Sequence, residues 1–199
     1  MPNRTKQLSE FYADVQRLLG IDSLTDDDNE FLLQGWNRNG RHAWEEALWP
    51  QTMTLASRTV TSNQIELDAT APAMGLVINV WDGDPFGTGA VRELSWLLHG
   101  NYVRILGSNI PASAYVYYQQ RWTDSTGTLA DTVPYEIFPY MVRATAGDWL
   151  IGNEQYADGR ALLADADELL ARECERLTQT QGQPFLRSVF KTHGTEQIR

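Results

Sequence analysis

The chain has 199 residues, of which 42% are hydrophobic and 21% are charged, and its formal net charge is −10. These values are typical of a globular protein with one domain, or one domain carrying an insertion, and they argue against a disordered chain. An acidic surface disfavours binding to nucleic acid and to anionic lipid. The single cysteine, Cys174, excludes an intrachain disulfide. Neither a signal-peptide pattern nor a membrane-length apolar run is seen, so we expect synthesis in a cytoplasm and no membrane partner.

The first zone, residues 1–50, has helical periodicity. In LSEFYADVQRLLG, large apolar residues recur every three or four positions, and Gly20 stands where a helix would end. Thr25 and Asp28 form the pattern of a capping box, which predicts the start of a second helix. Asn39-Gly40 lies within that helix and leaves open either a kink or a division into two helices.

The second zone, residues 51–133, is predicted to be β. Its short segments are rich in Thr, Val, Ile and Tyr and are separated by turn residues, which indicates a small antiparallel sandwich or barrel. His99-Gly100-Asn101 is predicted to join two of the strands. The glycine-rich GDPFGTG, residues 83–89, lacks the Lys-Ser/Thr ending of a phosphate-binding loop, so we interpret it as a turn. The predicted strands lie in QTMTLASRTVT, NQIELDA, AMGLVINVW, VRELSWLLHGNYVRILGS and SAYVYYQQRW.

The third zone, from residue 134, returns to helix. Pro134 suits the first turn of one helix, and a second, longer helix carries a continuous apolar stripe before Gly182 and Pro184 end it. The predicted fold class is therefore α+β. Residues 1–50 and 134–182 are expected to form a helical bundle, residues 51–133 an inserted antiparallel β sandwich or barrel, and residues 183–199 an extended C-terminal arm.

AWEEALWPQ lies at the predicted junction between the bundle and the β insertion. Pro50 restricts Trp49 to extended geometry and cannot continue a helix. We predict that Trp44, Trp49 and Pro50 fix the angle between the two parts. Most of the seven tryptophans are expected in the core, and some in subunit interfaces, where this residue type is enriched.

No catalytic, cofactor or metal site is predicted, so we expect a protein that is not an enzyme. Only three histidines occur, there is no G-x-S-x-G elbow, and Cys174 falls on an apolar helical stripe, which predicts a buried thiol. The acidic runs lack the spacing of a calcium loop and stand where acids cap or solvate helices. The histidines are His42, His99 and His193.

The C-terminal PFLRSVF follows a helix terminator and is too short to build a core of its own. Its apolar residues and its positive charges leave two alternatives open: a frayed terminus that packs on its own subunit, or an arm that docks into a partner. The candidate docking residues are Phe185, Leu186, Arg187, Val189, Phe190 and Lys191.

In order and pattern, the chain resembles the head-to-tail connector adaptor proteins of tailed bacteriophages. Each matching motif is a loose profile, but together the motifs cover nearly the whole chain. They are the acidic helix start leading to WPQ at 49–51, WDGDPFGTG at 81–89, AYVYYQQRW at 114–122, VPYEIFPYMVRATAGDWLIGNEQ, and ALLADADELLARECERLTQTQGQ.

The resemblance implies a structural virion protein at the capsid vertex. Copies of such adaptors form a ring, usually twelvefold, beneath the portal protein, with the bundle as the ring wall. The C-terminal segment, here 182–199, reaches into the portal, and the β region faces the next neck or tail protein. Genome DNA passes through without sequence-specific binding. Two alternatives remain: another neck component, such as a stopper or tail terminator, and a small hydrolase or carbohydrate-binding module.

Overall fold

The computed structural model describes residues 4–68 and 72–181. Its fold class is α+β, which confirms the predicted class. The chain divides into two compact units. The helical unit comprises Met1–Gln51 together with Thr123–Arg199, and the β unit is Thr52–Trp122.

The second boundary lies at Trp122, earlier in the chain than the predicted end of the β insertion at residue 133. The reason is a short strand, β8 (Thr132–Pro134), which pairs antiparallel with the N-terminal strand β1 (Thr5–Gln7). Because β8 pairs with β1, the segment after residue 122 belongs to the helical unit, although β8 itself is a strand.

Within the described residues, the helical unit contains four helices and the two-stranded sheet β1–β8. The first helix ends at the expected glycine, Gly20, whose φ of 67° lies in the left-handed region. The prediction for Pro134 is wrong, because this residue lies in β8 and Pro139 occupies the first turn of the third helix. The helices are α1 (Leu8–Leu19), α2 (Asp26–Glu46), α3 (Phe138–Gly152) and α4 (Tyr156–Gln181).

Helix α3 is the centre of the helical unit, because it packs against each of the other three helices. Phe11 of α1 meets Trp36 of α2 edge-on, with the ring centroids 5.3 Å apart, and meets Phe138 of α3 at 6.4 Å. All three side chains are buried. Edge-to-face aromatic contacts add to the stabilisation from burial, so this cluster joins three helices in one core.

At two helix crossings, a glycine allows the neighbouring helices to pack closely. A Cβ added to Gly35 of α2 would lie 2.3 Å from the Cγ2 atom of Thr145 in α3. A Cβ added to Gly159 of α4 would lie 2.7 Å from the carbonyl oxygen of Gly147 in α3. Real Cβ atoms do not approach other atoms this closely, so glycine is required sterically at both helix crossings.

Helix α2 runs without interruption through Asn39 and Gly40, which rules out a division into two helices. Both residues are buried, and the Asn39 side chain donates from Nδ2 to Oγ1 of Thr145 at 2.9 Å. A buried amide that is hydrogen-bonded to the neighbouring helix offsets the weak helix propensity of Asn-Gly.

The β unit consists of two three-stranded antiparallel sheets, in the orders β2-β7-β4 and β3-β6-β5. Residues from both sheets form one apolar core, as expected for a sandwich. The predicted hairpin at His99-Gly100-Asn101 is confirmed, with Gly100 at a φ of 59°. The strands are β2 (Met53–Thr59), β3 (Gln64–Glu66), β4 (Met74–Trp81), β5 (Trp96–His99), β6 (Tyr102–Ile105) and β7 (Ser113–Gln120).

Candidate interaction surfaces

The turn after β4 presents an exposed aromatic side chain. The Asp84 side chain accepts a hydrogen bond from the backbone N–H of Phe86 at 2.9 Å, and the Asp84 carbonyl accepts one from Gly87 at 3.0 Å. These bonds hold the turn in shape while Phe86 itself remains 87% exposed. The interpretation of GDPFGTG as a turn is therefore confirmed, and the turn leaves the Phe86 side chain exposed.

The base of this turn is held by Asp82 and Arg92. The Asp82 carboxylate accepts from the backbone N–H of Arg92 at 2.8 Å, and its other oxygen lies 3.3 Å from the Arg92 Nε atom. The Arg92 guanidinium also donates to the carbonyl of Asn109 at 3.1 Å. A charge-assisted hydrogen bond that closes a loop reduces the entropy that the loop would lose on binding.

One chain segment, residues 92–99, forms an edge of both sheets. Its first part runs beside β4, where the N–H of Asp82 donates to Arg92 at 3.0 Å and the N–H of Leu94 donates to Val80 at 2.9 Å. Its second part is β5, the edge strand of the other sheet. The Phe86 turn precedes this segment in the chain, and residues 87–91 connect the two. We call residues 92–99 the open edge.

The open edge leaves part of the apolar core uncovered. Leu98 is the cross-strand partner of Val103, so both side chains lie on the same face of the sheet. Val103 is fully buried, whereas Leu98 is 46% exposed. Leu97, on the opposite face of β5, is also exposed. Soluble proteins usually protect an edge strand with charged residues or proline, and β5 has neither.

The sequence did not single out these residues. A signal for the edge was present, since Trp-Leu-Leu in β5 does not alternate with polar residues as a half-solvated strand should. The exposed phenylalanine within a polar turn was a second signal. Exposure itself depends on the strand order, which periodicity alone does not provide.

The predicted junction residues lie in the helical unit and differ in burial. Trp49 is 0% exposed, and its indole Nε1 donates to the carbonyl of Ala43 at 2.7 Å. Trp44 is half-buried and Pro50, which begins a short 3-10 turn, is exposed. Trp49 is thus a packed residue, and its indole hydrogen bond joins the segment that follows α2 to the last turn of that helix. The proposed control of an interdomain angle stays a prediction.

Only two of the seven tryptophans, Trp36 and Trp49, are fully buried. The other five are half-buried, and Trp96 among them packs against the core of the β unit, so the expectation that most tryptophans belong to the core stays a prediction. Partial exposure suits the alternative that some tryptophans contribute to interfaces. The half-buried residues are Trp44, Trp81, Trp96, Trp122 and Trp149.

The candidate docking arm, residues 183–199, lies outside the described residues, as do all six of its named candidates: Phe185, Leu186, Arg187, Val189, Phe190 and Lys191. The described chain ends with α4 at Gln181, directly before this segment.

The thiol of Cys174 is buried, as predicted. Burial, and after it the negative charges of Glu46 and Glu173, raise the pKa of this thiol to about 11. A cysteine of this kind stays protonated at neutral pH and is a poor nucleophile. Among the residues that the structure describes, no three His, Cys, Asp or Glu side chains lie together in a way that could hold a metal ion.

No helix within residues 4–68 and 72–181 is both long and apolar enough to cross a membrane. Comparison with protein-family models and with curated proteins gives no match for this chain.

Proposed function

We propose that this chain is a structural virion protein, an adaptor that forms a ring between the portal and the tail of a tailed bacteriophage. The family resemblance of the sequence suggests this role. The observation that supports it best is the exposed apolar surface of the β unit, at Leu97 and Leu98 of the open edge and at Phe86 in the turn that Asp84 holds. Clustered exposed apolar groups are typical of protein–protein contact sites.

The charge distribution is compatible with a channel for DNA. The β unit carries four arginines and five acidic residues, a formal charge of −1, and the helical unit carries the remaining −9. In the proposed ring the helical unit forms the wall, and its negative field keeps the phosphate backbone from adhering while the genome passes. Sequence-specific contacts with DNA are not part of this role.

The C-terminal arm would dock into the portal. Residues 182–199 carry three basic residues and one acidic residue, a net charge of +2, together with the apolar anchors Phe185 and Phe190. Many identical arms on one ring give avidity, so each single contact can be weak. The β unit would face the downstream neck or tail protein.

The proposal is tested by removing residues 183–199 and measuring attachment to purified portal-bearing heads. The four helices of the described chain do not include this segment, so we expect their circular dichroism signal to persist in the truncated protein. We also expect attachment to fall by about tenfold or more, because buried aromatic anchors dominate such contacts. Normal attachment of the truncated protein would contradict the arm assignment.

Point variants distinguish the loss of the apolar anchors from the shortening of the chain as the cause of weaker attachment. Phe185→Ser combined with Phe190→Ser should reproduce the loss, whereas the polar control Gln183→Ala with Gln197→Ala should attach as the wild type does. Electron microscopy of the assembled neck then measures the ring. A twelvefold ring directly below the portal supports an adaptor, and a sixfold ring indicates a stopper or tail terminator instead.

A further inference from the structure

We propose that the outer face of the sheet β2-β7-β4 is a carbohydrate-binding site, which takes a neutral oligosaccharide of the extended cellulose or chitin type. The inference goes beyond the proposed adaptor role and does not depend on it. The residues that carry it form two rows across this face, and we call the two rows together the aromatic face. The first row is Glu93, Trp81, Tyr115 and Ser57, and the second row is Asn79, Tyr117 and Leu55.

The register of the strands places these side chains side by side. Tyr115 of β7 lies opposite Ser57 of β2 on one side and opposite Trp81 of β4 on the other. Trp81 in turn pairs with Glu93 of the open edge. Directly paired residues project from the same face of a sheet. The valines that separate the two rows on β4 and β7 are fully buried in the core, so the rows themselves project from the outer face.

The three rings of the aromatic face each carry a polar group that the fold does not use. Trp81, Tyr115 and Tyr117 are half-buried, so each ring keeps part of its surface in solvent. Within residues 4–68 and 72–181, no hydrogen bond joins the indole N–H or either of the two hydroxyls to another residue, and none of these three polar atoms is enclosed. A ligand that covers the rings must therefore offer hydrogen-bond partners at its edges, because a covered polar group without a partner costs free energy.

Flat rings together with uncharged polar groups match a sugar. An aromatic ring is electron-rich on its face, which attracts the C–H groups that a pyranose presents on its own flat face. The hydroxyls at the edge of the sugar both donate and accept hydrogen bonds, and they suit the Ser57 hydroxyl, the Asn79 amide and the two tyrosine hydroxyls. The carboxylate of Glu93, which is exposed at the end of the first row, is a strong acceptor for a sugar hydroxyl.

Other classes of ligand fit this face less well. The two rows contain no arginine or lysine, so the phosphates of a nucleic acid would find no positive charge, and Glu93 would repel them. The rings stand side by side on a sheet, whereas a quaternary ammonium ion is held by aromatic rings that surround it. The centre of a protein–protein interface is apolar and depleted of charge, but Leu55 is the only member of the rows without a polar side-chain atom.

The spacing of the rings favours an extended chain of sugars. Neighbouring residues on one face of a strand lie about 7 Å apart, and adjacent strands lie about 5 Å apart. Trp81 and Tyr117 are diagonal neighbours in this grid, so their rings can stack on successive sugars of one chain. An oligosaccharide of the cellulose or chitin type presents its rings as a flat ribbon, which can lie along a sheet face. A helically wound oligosaccharide cannot keep successive rings flat on the same surface.

The test titrates the full-length protein with cellohexaose and, separately, with chitohexaose, and follows proton–nitrogen NMR spectra. We expect saturable shifts of the Trp81 indole N–H signal and of the backbone amides of β4 and β7. The expected dissociation constant is roughly 1 mM or lower for at least one of the two sugars. The spectrum of Trp81→Phe assigns the indole signal, because this variant lacks it.

Variants of the aromatic face should weaken binding. Trp81→Ala removes the largest stacking surface and should raise the dissociation constant by about tenfold or more. Glu93→Ala should raise it by about threefold or more through loss of the carboxylate acceptor, and it keeps the test decisive if Trp81→Ala fails to fold, because Glu93 is exposed. Tyr102→Ala is the matched control, since Tyr102 is a 38% exposed tyrosine of β6 in the other sheet. Its dissociation constant should stay within about twofold of that of the wild type.

The inference would be overturned if neither sugar caused saturable shifts at concentrations up to roughly 10 mM. It would also be overturned if Trp81→Ala and Glu93→Ala, both folded, bound the sugar as the wild type does, or if Tyr102→Ala lost binding to the same extent. A proline-rich peptide is the competing probe, because aromatic surfaces also bind such segments. If that peptide shifted the signals of β4 and β7 and the sugars did not, the aromatic face would be a peptide-binding site instead.

Discussion

The helical unit and the β unit close their cores by different means, although both expose some large apolar residues. In the helical unit, Trp36 and Trp49 are buried, and Gly35 and Gly159 allow neighbouring helices to pack in direct contact. In the β unit, the core continues to the edge of the sandwich, where Leu98 is only half covered. The comparison teaches that a buried residue such as Trp49 and an exposed one such as Leu98 differ in what they contribute to folding, so substitutions at the two should change stability to different extents.

The largest effect on stability is expected from Trp49→Ala. This substitution removes a fully buried indole and leaves a cavity, which typically lowers the free energy of unfolding by about 3–5 kcal/mol. Trp49→Phe keeps most of the volume but leaves the Ala43 carbonyl without the indole donor that now lies 2.7 Å away, and should cost about 1–3 kcal/mol. Urea unfolding followed by circular dichroism measures both. If Trp49→Ala were as stable as the wild type, packing at this residue would not hold the helical unit together.

Gly159→Ala tests the close approach of α3 and α4. The added Cβ would lie 2.7 Å from the Gly147 carbonyl oxygen and 2.6 Å from the Ile151 side chain, so one helix must shift. Overpacking of this kind costs about 1–3 kcal/mol, which exceeds the gain of about 1 kcal/mol from helix propensity. Gly152→Ala is the control, because no atom lies within 4 Å of its added Cβ. Equal stability of the two alanine variants would contradict the steric argument.

A smaller and pH-dependent effect is expected at the start of α2. The backbone N–H and hydroxyl of Thr25, and then the Trp149 indole, donate to Asp28 and lower the pKa of its carboxyl from the ordinary value of 3.8. The folded state therefore binds this proton less readily than the unfolded state. The resulting stabilisation is present above pH 3.8 and is lost as the pH falls through the lower folded pKa.

Unfolding of the wild type and of Asp28→Ala, measured from pH 7 down to pH 3, checks this dependence. The difference in free energy between the two proteins should shrink at the acidic end. Asp27→Ala serves as the control, since Asp27 lies in the same first turn and is exposed. A difference between wild type and Asp28→Ala that is constant with pH would show that the ionised carboxylate is not what stabilises the helix start.

Local patterns predicted the helices well and the boundaries poorly. Helix α1 and helix α4 were predictable because apolar residues recur with helical spacing and glycine follows, as at Gly20. The segment after Trp122 has no hydrophobic periodicity. Its strand β8 belongs to the helical unit because it pairs with β1, which is far away in the sequence. Such non-local pairings have no local signature. For the same reason the open edge could not be located, because exposure of Leu98 follows from strand order.

The smallest effect on stability, and the sharpest contrast with Trp49, is expected from Phe86→Ser. Phe86 is 87% exposed, so its removal should change the free energy of unfolding by no more than about 0.5 kcal/mol. The Asp84 bond to the backbone N–H of residue 86 does not depend on the side chain and should persist. Thermal unfolding of wild type and variant measures this directly. A clear loss of stability would mean that the phenylalanine belongs to the core of the β unit. Unchanged stability would show that the β unit folds without the aromatic ring.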